Sequence, residues 1–584
     1  MRFLIITIML FAGVVLAQSS IEKFTSKLDA VISSANQDEE LLVWIFFTDK
    51  GNEVQNYLSN PTTVVSEKSL KRRAKVLSED KIISETDVPV NQNYVEQIKA
   101  KGFKVKQKTK WFNGISGFAT KSELVQIANL PFVKQMDIVY RFRKDNFEEE
   151  SLNDDQEGMN QNLLKPQGTN SFNYGQSFTQ LNIINVPQVH DMGYTAAGVT
   201  ICMMDAGFDL LSHQVFSSMN IIATWDFVNG DPDVENGSDM GDGSHGTSTL
   251  SLIGGFYEGQ LIGPAFGADF ILAKTENTDS ETPIEEDNWI AALEWADNMG
   301  VDITSTSLSY LDFDDSVGFN YTWEDMDGNT ARITNGADYA VYIGIFVANS
   351  AGNGGSVAPP QNTLGAPADG DSVIAVGSVT SSGSRSGFSS VGPTFDGRIK
   401  PDLMAMGSNN YVACNWSTNC YSDWGSGTSW SCPMLAGAAA LLLEVDPSLT
   451  PMQLSTLLKS TASQSNNPDN LYGWGIINTF TAAQSLLTNS NSENNVPEDF
   501  YILQNYPNPF NPSTKIRFSV PVRSNVKLIL HDMLGREIAV LFSEEINPGT
   551  KEIDLNGSDL ASGVYLVRMI TNNYQKSIKI SLLK

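Results

Sequence analysis

Cysteine and histidine are both scarce in this chain, with four of each in 584 residues. Four cysteines do not make a disulfide scaffold. Four histidines (His190, His213, His245 and His531) narrow the search for a reactive imidazole. Positive charge is short as well: 38 lysines and arginines face 67 acidic residues, a formal net charge of −29. Such a chain repels polyanions, which excludes nucleic acid as a partner. The acidity suits solubility in an external medium. Past the N-terminus no apolar run is long enough to span a bilayer, so the mature protein is expected to be soluble. Internal repeats and long low-complexity segments are lacking, and glycine (46) and proline (23) do not dominate. The length and the 41% hydrophobic content suit about three or four globular domains.

What is present is modular. Residues 1–17 have the layout of a secretion signal: Arg2 as a basic start, an apolar run from Phe3 to Leu16, and small residues before Gln18. Residues 18–144 alternate strand-like runs such as LLVWIFF from Leu41 with helix-like runs. NQNYVEQIKAKG from Asn91 is one helix, stopped at Gly102, and KSELVQIANLP from Lys121 is another, with Ser122 as its N-cap. Residues 145–170 are acidic and poor in apolar side chains, which predicts an exposed linker open to proteolytic maturation. Residues 171–487 carry buried-strand runs (GVTICMMD, DFILAKT, VDITSTSLS, IGIFVANS, SVIAVGSV) alternating with helical segments. In EEDNWIAALEWADNMG, Trp289, Leu293 and Ala296 share a helical face and Gly300 is a stop. This alternation predicts an α/β domain with a parallel sheet and helices on both faces. Residues 488–499 form a second polar linker. Residues 500–584 (KIRFSVP, NVKLILHDMLG, TKEIDL, GVYLVRMI) predict an all-β sandwich.

Three motifs in the large domain carry chemistry. Asp205 ends an apolar strand in MMDAGF. His245 sits in GDGSHGTSTL before a small-residue apolar stretch. Ser429 lies in GSGTSWSCPMLAG, where a glycine-rich turn leads into an apolar helix with Pro433 in its first turn. A serine hydroxyl is a weak nucleophile and needs a base. Neutral imidazole takes its proton and returns it to the leaving amine, while a carboxylate on the other ring nitrogen fixes the tautomer. A helix N-terminus beneath Ser429 adds an N–H donor for a developing oxyanion. The chain order Asp, His, Ser is that of subtilisin, and differs from chymotrypsin and the α/β-hydrolases.

DAGF, HGTS and GTSWSCP resemble the three signature blocks of the subtilisin-like serine proteases, over roughly residues 174–485. The resemblance implies a subtilisin-like fold and a serine endopeptidase with Asp205, His245 and Ser429 as its triad. It makes Asn353, in ANSAGNGG, the oxyanion side chain, and His213 a structural or substrate-proximal residue. It implies that Ser307, Leu308 and Ser309, with Gly352, pair with substrate and line the P1 pocket. The family usually has glycine where Ser309 stands, so Ser309 is expected to crowd the pocket mouth. KPDLMAMG from Lys400 is another family-like, structural block. No cofactor is required. Calcium is possible as a structural ion, with DFVNGDPDVENGSDMGDG and DMDGNT as oxygen-rich candidates that lack an EF-hand spacing.

The N-terminal piece, through NGISGFATKSELVQIANLPFVKQMDIV from Asn113, resembles subtilase propeptides, which implies an intramolecular inhibitor. The C-terminal piece resembles type IX secretion sorting domains, through LQNYPNPFNPSTKIRFSVP and LASGVYLVRM. That implies the bacterial secretion machinery as a partner, and release or attachment at the outer cell surface. The expected substrates are extracellular proteins or peptides. The rival readings are a catalytically inactive surface or adhesion protein that keeps the fold, and an esterase. A missing triad residue would favour the first, and none is missing. In a secreted chain Cys414 and Cys420 can bridge, whereas Cys202 and Cys432 read as buried thiols.

Overall fold

Strand β1 (Glu40–Phe47) is apolar on both of its faces because both are covered. Alternate side chains of a strand point to opposite sides. Leu41, Val43, Ile45 and Phe47 meet the N-terminal helices, while Leu42 and Trp44 cluster with Val139 against Ile284 of the large α/β part. The computed structural model describes residues 23–139, 170–236, 243–280, 282–313, 320–489, 500–503, 505, 508–571 and 574–584. The expected signal segment 1–17 lies outside these, as do nearly all of both linkers.

In the N-terminal part β1 pairs with β2 (Lys104–Thr109), β3 (Gly114–Thr120) and β4 (Val133–Ile138) in the antiparallel order β2-β3-β1-β4. Helices α1 (Ser26–Ser34), α3 (Gln92–Lys99) and α4 (Lys121–Ala128) cover one face. Asn91 caps α3, its Oδ1 accepting from the Tyr94 N–H at 3.2 Å. The cap of α4 is Thr120 rather than Ser122, because Glu123 reaches back to the Thr120 N–H at 2.7 Å. Helix α2 (Glu67–Arg73), capped by Ser66, leaves the sheet and enters the α/β part.

That part has a seven-stranded, wholly parallel sheet. Its strands are β5 (Thr200–Asp205), β6 (Asn220–Asp226), β7 (Asp269–Lys274), β8 (Ile303–Thr306), β9 (Phe346–Ser350), β10 (Ile374–Val379) and β11 (Leu403–Met406), in the order β11-β10-β9-β8-β5-β7-β6. Helix α5 (Ser244–Gly254) follows β6, α6 (Ile284–Met299) follows β7, α7 (Arg332–Tyr342) follows β8, and α8 (Thr428–Val445) follows β11. Cys202 and Met204 of β5 pack with α6 and α7. Ser305, whose register partner on β5 is Met203, faces Cys432 of α8 on the other side. Gly300 ends α6 with φ of 83°. Helix α8 is long and apolar enough to cross a membrane, but it is buried as the domain's central helix.

The chain divides into two compact units, up to Gln484 and from Ser485. The second is a β-sandwich. One sheet holds Tyr501–Ile502, Ser513–Val520 and Gly549–Asn556, and the other Glu537–Ile546, Ser524–Asp532, Gly563–Ile570 and Gln575–Leu582. Ile516 and Phe518 of the first sheet share a core with Leu528, Val567 and Ile580 of the second.

Candidate active site

Carboxyl ends of parallel strands collect the chemistry of open α/β sheets, and four adjacent strands do so here. Across the sheet they present Gly352 and Asn353 just past β9, Ser307–Ser309 just past β8, Asp205 at the end of β5, and Glu276 just past β7. All but Asp205 line one cavity of about 800 Å³, together with His245 and Ser429.

Asp205 is fully buried. Its Oδ1 lies 2.6 Å from His245 Nδ1, and its Oδ2 accepts from Thr249 Oγ1 at 2.9 Å. Thr249 is four residues after His245 and so lies on the same face of α5. Gly246 permits this approach: a Cβ there would sit 2.0 Å from the Gly207 carbonyl oxygen. Burial alone lowers the imidazole pKa. The charge and hydrogen bond of Asp205, with help from Glu276, outweigh burial and hold His245 above its ordinary 6.5. With Nδ1 committed to Asp205, Nε2 is the nitrogen free to act on substrate.

Ser429 is the second residue of α8. Its Oγ donates to the Ser307 carbonyl at 3.1 Å, so the resting hydroxyl is turned away from the imidazole. Pro433 falls in the second turn of α8, not the first. Having no N–H, it cannot bond the Ser429 carbonyl four residues back. Ser307 Oγ donates to that carbonyl instead, at 2.8 Å. Helix α8 and the segment after β8 are therefore stitched together at Ser429.

Asn353 is exposed to the cavity. Its Oδ1 accepts from the Thr428 N–H at 2.9 Å and from Thr428 Oγ1 at 3.1 Å, which leaves Nδ2 for the cavity. Gly352 has φ of 101°, and a Cβ there would stand 3.2 Å from Ser309 Oγ. The Leu308 carbonyl accepts from Asn349 Nδ2 and Ser350 Oγ, which ties β8 to β9 at the cavity wall. Ser309 Oγ is within 2.1 Å of where a Gly365 Cβ would be, so the serine hydroxyl occupies the space beside that glycine.

The other histidines have structural partners. His190 is buried between the Tyr174 hydroxyl (2.8 Å) and the Pro264 carbonyl (2.9 Å), and burial lowers its pKa to about 4. His213 accepts from the Val215 N–H at Nδ1 and donates from Nε2 to the Cys420 carbonyl at 2.9 Å. It thereby props the 414–420 loop, which the Cys414–Cys420 disulfide closes. Cys202 and Cys432 are buried free thiols.

The acidic motifs serve their own loops. Asp327 Oδ1 accepts from the Asn329 and Thr330 N–H groups, and Asp226 Oδ1 from those of Val228 and Asn229. Asp209 accepts from the N–H groups of Asn236 and Gly243. Among the described residues no group of three or more His, Cys, Asp or Glu is placed to hold a metal. Residues 237–242 of the acidic stretch lie outside the described set.

Sequence reasoning missed Thr249, Thr428 and Glu276. The four-residue spacing from His245 and the adjacency to Ser429 were available signals for the first two. The third follows DFILAKT directly, at the end of a parallel strand.

The subtilase family model matches residues 196–475. A peptidase S8 propeptide domain of Bacteroidota matches residues 42–157, and a secretion system C-terminal sorting domain matches residues 504–582. Subtilisin DY of Bacillus licheniformis is 32% identical over 303 residues, covering 52% of this chain and 97% of that protein. Subtilisin NAT of Bacillus subtilis subsp. natto is 34% identical over 314 residues, covering 53% and 72%. A solved cold adapted subtilisin-like serine proteinase is 27% identical, with a TM-score of 0.37 over 49% of this chain and 88% of that one.

Proposed function

The chain belongs to the subtilase family of serine endopeptidases, and from that premise we propose that it hydrolyses internal peptide bonds of extracellular proteins through an acyl-enzyme on Ser429. It carries a propeptide domain and a secretion sorting domain, and it is secreted or held at the cell surface. The observation that carries the mechanism is the 2.6 Å contact of His245 Nδ1 with buried Asp205, in a cavity that His245 shares with Ser429 and Asn353.

Asp205 holds the imidazole in the tautomer whose Nε2 is unprotonated and stabilises the imidazolium once formed. The Ser429 hydroxyl rotates from the Ser307 carbonyl to Nε2, gives up its proton, and attacks the substrate carbonyl. The oxyanion that develops is met by Asn353 Nδ2 and by the Ser429 N–H in the first turn of α8, where intrahelical acceptors are missing. His245 then protonates the leaving amine, and water repeats the sequence to release the acyl group. Ser307–Ser309 and Gly352 bind the substrate backbone and frame the P1 pocket, narrowed by the Ser309 hydroxyl. The N-terminal domain acts as an intramolecular inhibitor until cleavage between about residues 145 and 170. The sorting domain is the part that meets the secretion machinery.

The test is casein hydrolysis by the secreted protein beside Ser429→Ala. Loss of activity on the order of 10³-fold or more in the variant, with a new N-terminus in the linker of the wild type only, supports the reading. Equal activity in the two proteins overturns the assignment of Ser429.

A further inference from the structure

Apart from His245, the charged residues lining the cavity are all acidic: Glu276, Glu285 and Asp312. They are not equivalent. Both oxygens of Glu285 are committed to the loop that carries them, accepting from the N–H groups of Asn277 and Thr282. Asp312 is exposed at the mouth and accepts from Asn320 Nδ2. Glu276 is 5% exposed and faces the cavity. Its two donors, the Tyr310 hydroxyl at 2.6 Å and Thr275 Oγ1 at 2.7 Å, both converge on Oε1. Oε2 receives no hydrogen bond among the described residues. A buried carboxylate with one oxygen left over is a costly arrangement unless a cation or donor arrives to complete it.

Strand order fixes which part of a substrate meets this oxygen. Glu276 follows β7, Asp205 ends β5, and Ser307–Ser309 follow β8, so Glu276 stands two strands from the substrate-pairing segment, on the side away from Gly352 and Asn353. At the usual strand spacing of ~4.8 Å that offset is about 10 Å. An extended peptide lying along Ser307–Ser309 alternates its side chains. If the P1 side chain enters between Ser309 and Gly352, its N-terminal neighbour, P2, points the opposite way, past His245 toward Glu276. Only a long side chain spans the gap, and only a cationic one matches the carboxylate.

We propose that Glu276 is a specificity-determining residue that selects lysine or arginine at the P2 position of the substrate. This rests on the reading of Ser307–Ser309 as the substrate-pairing segment. Burial pushes the Glu276 carboxyl up to about 7, against its hydrogen bonds from Tyr310 and Thr275, as expected of an acid that lacks its counter-charge until substrate binds. Tyr310 positions the carboxylate: its backbone is pinned by paired hydrogen bonds with Ala366 of 2.9 Å each.

The experiment compares two fluorogenic peptides that differ only at P2, one with lysine and one with Nε-acetyl-lysine, which keeps the stem and removes the charge. With the matured wild-type enzyme, kcat/KM is expected to favour lysine by at least roughly tenfold, the scale of one charge pair in a part-buried site. In Glu276→Gln that ratio should collapse toward one. In Glu276→Lys it should invert in favour of acetyl-lysine. A wild-type ratio near one overturns the proposal whether or not the variants fold, and so does a ratio unchanged in Glu276→Gln, which would leave Glu276 a purely structural acid. Casein hydrolysis run in parallel separates the two claims. Active enzyme with a flat P2 preference sinks only the subsite, whereas no hydrolysis of casein or either peptide sinks the endopeptidase reading and the subsite with it.

Discussion

Thr428 fixes the orientation of the Asn353 side chain by giving both its N–H and its hydroxyl to the same oxygen, Oδ1, at 2.9 and 3.1 Å. The amide is thereby set before any substrate arrives, with its donor end toward the cavity. Preorganised donors are what make such sites effective, because no reorganisation is needed as charge develops.

Asn353→Ala is therefore expected to lower kcat by roughly 10²–10³-fold with little change in KM, the size known for one such donor in subtilisin. Thr428→Val removes the hydroxyl half of the brace together with the acceptor of the Gly352 N–H, and its effect should be about tenfold, on the scale of one or two hydrogen bonds of ~1 kcal/mol each. Steady-state kinetics on a neutral peptide substrate distinguishes the two. Equal losses in both variants would mean that Thr428 acts otherwise than through Asn353.

On the proposed mechanism, the His245 imidazole must be neutral to accept the serine proton. Its pKa is held above 6.5 because Asp205 outweighs the effect of burial. The protonated, inactive form therefore persists to higher pH than in an isolated histidine. We expect the acid limb of the kcat/KM profile to have its midpoint above pH 6.5 and to shift downward in Asp205→Asn. A limb at or below 6.5 in the wild type contradicts the Asp205–His245 coupling.

Asp297 of α6 has no solvent exposure and faces three cations, all from the N-terminal part: Arg72 at 2.5 Å, Arg73 at 2.6 Å and Lys110 at 3.3 Å. Burial alone would raise its pKa, but the three cations hold it well below the usual carboxylate range. Arg73 also binds Asp87 at 2.6 Å, so its guanidinium bridges the two parts. Removing one partner of such a pair leaves a buried charge uncompensated, at a cost of about 3–5 kcal/mol. In the uncleaved Ser429→Ala precursor, Arg73→Ala is expected to lower the denaturant midpoint and the secreted yield strongly. Breaking the exposed pair of Lys515 and Glu552 by Lys515→Ala should cost about 1 kcal/mol or less. Indistinguishable midpoints for the two variants would refute the anchoring role of Arg73.

These contacts mark where sequence reasoning stops. The strands ending at Asp205 and Ser350 and the Gly300 stop were legible, because buried parallel strands and glycine-rich turns have local signatures; the gathering of Asp205, His245, Asn353 and Ser429 was legible through the resemblance that their motifs carry. The burial of Glu286, Asp287, Glu294 and Asp297 was not. On a lone helix those acids read as a solvated face; the N-terminal part covers Asp287, Glu294 and Asp297, while Glu286 is held within the α/β part by Tyr321. Nor did SLKRRAKV, from Ser69, announce that its two arginines enter the core of a separate fold. Interfaces between distant segments leave no periodicity in either partner. The bond from Ser307 Oγ to the Ser429 carbonyl was equally unreadable, since it depends on a carbonyl that Pro433 leaves open four residues back.

The same covered helix predicts how the precursor responds to pH. Trp44 Nε1 donates to Asp287 Oδ1 at 2.8 Å across the seam, and Tyr321 donates to Glu286 Oε2 at 3.2 Å. Among the described residues, Asp287 Oδ2 and Glu286 Oε1 are buried with no partner within hydrogen-bond geometry. Burial raises Asp287 from 3.8 to about 7, although Arg332 opposes it, and raises Glu286 from 4.5 to about 8. An acid whose pKa is higher in the folded chain keeps a proton that the unfolded chain releases. Its contribution is fully present below the unfolded value and is lost as pH climbs through the folded one. The Ser429→Ala precursor should therefore be less stable to denaturant at pH 8 than at pH 5, with the decline falling between about pH 4 and 8. Asp287→Asn, which stays neutral and can still accept from Trp44, should flatten that decline. Asp297, whose pKa is depressed, contributes with the opposite sign only in the more acidic range, so it cannot mask the effect. A precursor equally stable from pH 5 to 8, or a decline untouched by Asp287→Asn, would show that these carboxyls are ionised in the folded chain and that the seam tolerates their charge.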